Sequence, residues 1–504
     1  MDKSSLFKKL KAKLAEKQHV ENVLGLLEWD TSVNMPPKGS KTRGESVSIL
    51  AGIMHEKSLD RELIEILEKI KKLADSGKLN RKENAIFREE FRVYQKKKKL
   101  PADFVKKLAA TVGGAHHVWV EARKKSKFGL FAPTLKKIVE LKREQAKHLG
   151  YGTNPYDAML DDFEPGLKAE EVSIIFAELK DFLVSYIKRI QKTGIRFDQK
   201  KTLGRFDLLK QKKFNQLVAQ KLGYDLNAGR LDESDHPFSA SIGPGDVRIT
   251  SRYRENDILY SLGSTIHETG HALYDQGLNH KHFGNALGQY LSLAVHESQS
   301  RVWENMVGQS LPFWKYFYPI LQKEFPEPFR RLELAEFYKI INRVEPSLIR
   351  VESDEVTYNL HIIIRFEIEK ELIEGSIDVK DLPKIWNFKY KDYLGVKVPG
   401  DDLGVLQDVH WSAGLFGYFP TYALGNLYSA QFYAKAKSDI MNLEKLFEKG
   451  KFLPFLEWLR KNIHQHGRLY SADELVRRIT GEPLNPQYYI DYITGKFNAI
   501  YNLK

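Results

Sequence analysis

The chain is 504 residues long, 42% apolar and 12% aromatic, enough to bury a large core, and its 29% of charged residues is ordinary for a water-facing surface. It has no cysteine, which excludes disulfides, thiolate metal sites and a cysteine nucleophile, so any metal must be held by histidine and carboxylate. The net charge of +13 does not single out nucleic acid or an anionic membrane as a partner. Lys and Arg are spread from end to end among Glu, and the densest run, Lys96 to Lys99, falls just before Leu100-Pro101, where a solvated helix tip is expected.

In chain order, Met1 to Gln18 is lysine-rich and lacks the apolar core of a signal peptide, and no later stretch approaches the roughly 18 apolar residues of a membrane span. A cytoplasmic location is the expectation. Apolar residues at three- and four-residue spacing predict helices over Lys9–Leu27, Ser46–Leu73, Arg81–Lys98, Ala102–Ala122, Pro133–Leu149 and Ala169–Lys192. A hairpin is predicted where Phe238–Ile242 and Asp246–Thr250 flank Gly243-Pro244-Gly245. Two more helical stretches follow, one around Glu255 to His280 and one from Leu287 to Val307. No repeat, low-complexity tract or Ser/Gly/Pro-rich linker divides the chain, so residues 1–504 are read as one mostly α-helical domain, with room for two lobes and a small β-sheet. The Lys/Glu-rich, Met-poor composition fits a protein from a hot environment.

The chemistry concentrates in His267-Glu268-Thr269-Gly270-His271. Residues four apart share a helix face, so His267 and His271 can present two imidazoles to one ion, with Glu268 placed alongside to act as a base. No Lys or Arg occurs between Glu255 and His280, and Leu259, Leu262, Ile266 and Leu273 form one apolar stripe, so this helix is expected to be buried. Tyr260, Gly263, Ser264, His267, His271 and Tyr274 fall on a second, polar face. A catalytic zinc commonly takes three protein ligands and leaves a fourth position open. The third is sought in His296-Glu297-Ser298-Gln299, where Glu297 is favoured over His296 because two histidines and a glutamate is the commoner set behind this motif. Asp275, one turn beyond His271, is placed to orient that imidazole, or is an ordinary helix-end acid.

Around this motif the sequence resembles the thermostable zinc metallocarboxypeptidases of the carboxypeptidase Taq family. The matching stretches are His236-Pro237-Phe238, Asp246-Val247-Arg248-Ile249-Thr250, Ile349-Arg350-Val351-Glu352-Ser353-Asp354 and Gly404-Val405-Leu406-Gln407-Asp408-Val409-His410-Trp411, in family order and over nearly the whole chain. Further matches are Trp29-Asp30 with Met35-Pro36, Tyr156-Asp157 with Phe163-Glu164-Pro165-Gly166, and Phe419-Pro420-Thr421-Tyr422. Ser353 departs from the Ala usual in the family. The resemblance implies a helical fold cut by a deep groove with the metal at its floor, similar to neurolysin and angiotensin-converting enzyme. It also implies a homodimer, zinc or cobalt as the working ion, and removal of single residues from the free C-termini of peptides with broad specificity.

An enzyme acting at a free C-terminus has to bind a carboxylate, for which the planar fork of arginine is the natural partner. Arg350 is favoured for that role, and Arg248 is a groove residue or a purely structural one. His236, His410 and Tyr422 are candidates for oxyanion stabilisation or substrate positioning. An endopeptidase or aminopeptidase built on the same zinc motif is the nearest rival; a basic nucleic-acid scaffold with a structural zinc is disfavoured because such sites are usually closed and cysteine-rich.

Overall fold

Local capping chemistry sets where the helices begin. The Asp2 carboxylate accepts from the Ser5 amide and starts a long helix, Lys3–Val33. Asn80 and Glu83 form a reciprocal capping box at the start of Arg81–Lys99. The periodic stretch Ser46–Leu73 is not continuous: Asp60 takes an extended ψ and caps the Glu62 amide, so one helix, Ser40–Ser58, ends and another, Arg61–Asp75, begins. A computed structural model describing residues 2–504 shows a mostly α-helical protein with one small sheet, the architecture expected from periodicity. Two hydrophobic cores hold it. A small one joins the N-terminal helices through Leu6, Leu10, Leu14, Ile66, Ile70 and Ile86, and a large continuous one runs from Ala115 to Tyr501. No described helix is long and apolar enough to cross a membrane.

The sheet has the order β1–β3–β2, with β1 at Leu231–Glu233, β2 at Ser239–Gly243 and β3 at Asp246–Ser251. The hairpin is where the Gly-Pro-Gly turn predicts it, and Gly245 supplies the positive φ of +82° that its turn requires. β1 was not visible in the periodicity; it is three residues long and joins β3 in parallel. The register Ser239↔Ile249 and Ala240↔Arg248 leaves β2 as an edge strand.

Behind the sheet lies the helix Ile258–Gly277, started by Asp257, whose carboxylate accepts from the Tyr260 amide. The helical stretch expected from Leu287 begins later, at Leu293, because Ser292 caps the Val295 amide. It runs as an α-helix to Arg301 and then widens into a π-helical segment, Val302–Gly308. Two glycines let these elements approach. A Cβ on Gly270 would sit 2.5 Å from the Gln299 carbonyl oxygen, and one on Gly425, in the helix Pro420–Asp439, would sit 2.5 Å from Glu297 Cγ. The backbone of Leu293–Arg301 at Gln299 and Ser300, and the side chain of Glu297, thus occupy the space that a side chain at Gly270 or Gly425 would fill.

Candidate active site

A cavity of about 620 Å³ opens between β2, the histidine helix, Leu293–Arg301 and the start of Pro420–Asp439. At one wall His267, His271 and Glu297 bring three ligand atoms within 4.8 Å of one another. Glu297 Oε2 lies 3.3 Å from His271 Nε2 and 3.7 Å from His267 Nε2. The other faces of these groups are already engaged. His267 Nδ1 meets Glu304 Oε2 at 2.7 Å, Arg301 Nε donates to Glu297 Oε1 at 2.7 Å, and the His271 ring stacks on His296 at 4.4 Å. His267 Nε2, His271 Nε2 and Glu297 Oε2 are thereby turned toward one another, the Glu297 oxygen also accepting from Ser300 Oγ at 3.0 Å. Glu268 is buried beside them and lines the same cavity.

The charges around this cluster suit a divalent cation. Three carboxylates, Glu268, Glu297 and Glu304, are set against one guanidinium, Arg301, and a proton held by His267 whose place a divalent ion can take. Burial lowers the affinity of His267 for a proton, but Glu304 and Glu297 outweigh it and push this imidazole up to about 9. Burial and the neighbouring His296 hold His271 down to about 4. Burial resists charge on Glu297, yet Arg301 and then His267 keep it well below the usual carboxylate range, while burial pushes Glu268 up to about 7. Two imidazole nitrogens and a carboxylate oxygen, with His267 oriented by Glu304 and Glu297 by Arg301, form a donor set that zinc and similar divalent ions accept.

The same cavity reaches Arg350, which is 6% exposed. Its Nε donates to Asp408 Oδ1 at 3.1 Å, one terminal nitrogen is also 3.1 Å from that oxygen, and the other donates to the Tyr358 hydroxyl at 3.2 Å. A guanidinium has five N–H groups, so these three contacts leave two uncommitted on its outer edge. Asp408 is shared: Arg365, fully buried, grips Oδ2 at 2.7 and 2.6 Å. Two buried guanidiniums and one carboxylate leave a positive charge without a partner, a costly arrangement that an anion would complete.

Comparison with known proteins decides what this pair of clusters belongs to. Residues 9–497 match the family model described as Carboxypeptidase Taq (M32) metallopeptidase. The chain belongs to that family. It is 41% identical over 502 residues to Thermostable carboxypeptidase 1 of Thermus thermophilus, covering 96% of this chain and 97% of that one. It is 39% identical over 488 residues to Carboxypeptidase 1 of Bacillus subtilis, covering 96% of each. The crystal structure of M32 carboxypeptidase from Deinococcus radiodurans R1 superposes with a TM-score of 0.95 at 36% identity, covering 99% of this chain and all of that one. The protein is a metallocarboxypeptidase, a hydrolase of peptide bonds.

The other residues singled out in the sequence of this metallocarboxypeptidase are placed unevenly. Tyr422 lines the cavity, and its hydroxyl is 3.4 Å from His410 Nε2; burial holds His410 to about 4, a neutral imidazole near pH 7. Arg248 lies outside the cavity, on β3, paired in a fork with Asp246 at 2.8 Å and stacked 4.2 Å over Trp29. His236 is exposed, just before β2. Asp275 faces His296, with Oδ2 3.4 Å from Nε2, rather than His271. Tyr274, grouped with the polar face by spacing, is fully buried in the core, where its hydroxyl accepts from the Leu291 amide. Sequence reasoning passed over Glu304, Arg301 as a partner of Glu297, Tyr358 and Arg365. Glu297, Arg301 and Glu304 are spaced four and three apart on one face, and that pattern is the signal that would have found the first two.

Proposed function

We propose that this metallocarboxypeptidase binds zinc, with cobalt accepted by the same donor set, through His267, His271 and Glu297, and releases single residues from the free C-termini of peptides. The convergence in one cavity of a two-histidine, one-glutamate cluster and an arginine with an uncommitted edge carries this reading. When bound, the ion supplies Lewis-acid polarisation of the scissile carbonyl and makes water acidic enough to be deprotonated near neutral pH. Glu268 takes the proton of the attacking water at its carboxylate and returns it to the leaving amine. Its burial keeps the proton affinity close to working pH, and a cation bound beside it draws that affinity down toward the ionised form.

Tyr422 donates its hydroxyl proton toward the developing oxyanion, with neutral His410 behind it to fix the direction of the phenol. Arg350 receives the terminal carboxylate on its free edge, and Asp408 and Tyr358 hold the guanidinium plane so that the contact is bidentate. A cavity of this size, with tyrosines rather than a charged pocket around Arg350, supports broad choice of the terminal side chain.

The test pairs a peptide with its C-terminally amidated twin. The free peptide should be trimmed one residue at a time, the amide should resist, and Arg350→Ala should lower kcat/KM on the free peptide about thirtyfold to thousandfold, the equivalent of roughly 2–4 kcal/mol for a charge-assisted bidentate contact. Glu268→Gln should keep its metal and lose several orders of magnitude in turnover. Internal cleavage of the amidated peptide at the rate of the free one would point to an endopeptidase.

A further inference from the structure

The segment Phe163-Glu164-Pro165-Gly166 has no part in the reaction as derived, yet it meets the start of the helix that carries Glu297. Glu164 is buried, and its carboxyl group faces no cation among the described residues. Its partners are the Ala294 amide, which donates to Oε1 at 2.5 Å across 130 residues of sequence, and the Ser292 hydroxyl. Burial pushes this carboxyl up to about 7, and the two bonds draw it back. A carboxyl group is costly in such a place, and here its hydrogen bonds go to a single helix end.

The amides of Leu293, Ala294 and Val295 precede the first bond inside the helix, from the His296 amide to the Ser292 carbonyl at 2.9 Å, so each needs a partner from elsewhere. Leu293 donates to the Phe163 carbonyl at 3.4 Å, Ala294 to Glu164, and Val295 to Ser292 Oγ at 3.3 Å. Two of the three partners therefore belong to Phe163 and Glu164, and the third, Ser292, is itself bonded to Glu164. The segment is held in turn by its own backbone: the Glu164 amide donates to the Leu160 carbonyl at 2.8 Å, and its carbonyl accepts from the Leu167 amide at 3.1 Å. On its other side the Phe163 ring meets Tyr418, in the wall of the catalytic cavity, edge-on at 5.1 Å.

The helix end matters because Glu297 follows one turn later. By helical geometry its amide pairs with the Leu293 carbonyl, so fraying of the first turn releases the backbone of Glu297. The contacts at Gly270 and Gly425 limit how closely the neighbouring helices approach. A glycine face has no side chain to interlock, so these contacts restrain sliding along the helix axis less than sideways movement. The far end of the helix widens into the π-helical segment Val302–Gly308, where the regular repeat is broken. The register along the axis is therefore set from the N-terminal end. A helix rises about 1.5 Å per residue, and a shift of a fraction of that exceeds the roughly 0.2 Å within which metal–ligand distances are held.

We propose that Glu164 is a positioning residue of the metal site: by anchoring the first turn of Leu293–Arg301 it holds Glu297 in register with His267 and His271. The role rests on the reading of Glu297 as the third ligand. Glu164 does not line the catalytic cavity and acts only through the helix it anchors.

The experiment compares the full chain with Glu164→Ala, Glu164→Gln, Glu297→Ala and Asn80→Ala. Chelator competition gives the zinc affinity, visible absorption of the cobalt-loaded protein reports the ligand geometry, and thermal unfolding of the metal-free protein gives the stability of the fold. Asn80 is the control, an exposed cap of Arg81–Lys99 outside the catalytic cavity; its loss should lower the unfolding temperature and leave zinc affinity and the cobalt spectrum as in the parent. Glu164→Ala should bind zinc at least about tenfold more weakly and alter the cobalt spectrum. Glu164→Gln should restore most of the affinity and the parent spectrum, since its amide oxygen still accepts from Ala294 and its NH2 donates to Ser292 Oγ. If Glu164→Ala does not fold, Ser292→Ala takes its place, removing the hydroxyl shared by Glu164 and the Val295 amide, and is held to the same mark. A zinc affinity lowered by less than about tenfold, or a cobalt spectrum identical to the parent's, beside a Glu297→Ala variant that has lost its metal, would overturn the positioning role alone. A Gln variant as weak as the Ala variant, or a control that loses zinc equally, would overturn it too. Zinc retained by Glu297→Ala would remove Glu297 as a ligand and this role of Glu164 with it.

Discussion

Replacing Gly270 by Ala tests whether the proposed metal site of His267, His271 and Glu297 depends on the contact between two helices. The added Cβ would lie 2.5 Å from the Gln299 carbonyl oxygen and 2.6 Å from Ser300 Cα, both backbone atoms, whereas ordinary contact begins at 3.4 Å. The helices must separate by about 0.8 to 0.9 Å, the difference between those distances. Overpacking of this kind costs about 1–3 kcal/mol, and the better helix propensity of Ala returns about 1 kcal/mol, so the fold survives with a modest loss. The ligand geometry does not. Glu297 moves relative to His267 and His271 by several times the roughly 0.2 Å within which metal–ligand distances are held. The expected result is a fall in zinc affinity of at least 10- to 100-fold, the scale seen when ligand orientation is disturbed. Chelator competition measures it, and thermal unfolding of the metal-free protein supplies the fold's own stability. Gly263→Ala is the control on the same helix, because its Cβ meets nothing within 4 Å; it should leave metal affinity intact and raise stability by up to about 1 kcal/mol. Zinc binding by Gly270→Ala within threefold of the parent would refute the reasoning.

Glu297→Ala should strip the metal together with activity, while His296→Ala, whose ring faces Asp275 and only stacks on His271, should leave most of the metal bound; metal analysis after gel filtration separates the two, and the reverse result would exchange their roles. Burial resists charge on Asp408, but Arg365 and then Arg350 hold its carboxyl far below the usual range. Its folded value lies under the unfolded one of about 3.9, so its stabilisation is complete well above that pH and fades as pH falls through the folded value. Asp408→Asn should therefore lose about 3–5 kcal/mol near pH 7 by leaving two guanidiniums without their carboxylate, and denaturant titrations should show the gap to the parent narrowing below about pH 4. A gap that stays constant down to pH 2 would exclude the ion pair as its source.

Some of this protein is determined by its sequence alone. The helices are written in three- and four-residue apolar spacing, the hairpin in its Gly-Pro-Gly turn, and the pairing of His267 with His271 in the helical repeat, because each depends only on residues within about one or two turns. The absence of cysteine likewise limits any metal to nitrogen and oxygen donors. Other features were decided only by tertiary structure. The spacing that links Glu297, Arg301 and Glu304 says nothing of their partner across the cavity, and Glu304 reaches His267, 37 residues away, from a π-helical segment. Arg365 reaches Asp408 from 43 residues away, and Arg248, in a motif as suggestive as that of Arg350, turns to Asp246 and Trp29 instead. Chain-distant groups meet where packing allows close approach, and at Gly270 and Gly425 that approach is set by the atoms opposite. Sequence spacing fixes which face of its own element a residue occupies; which residues of other elements stand across from it depends on how the whole core closes.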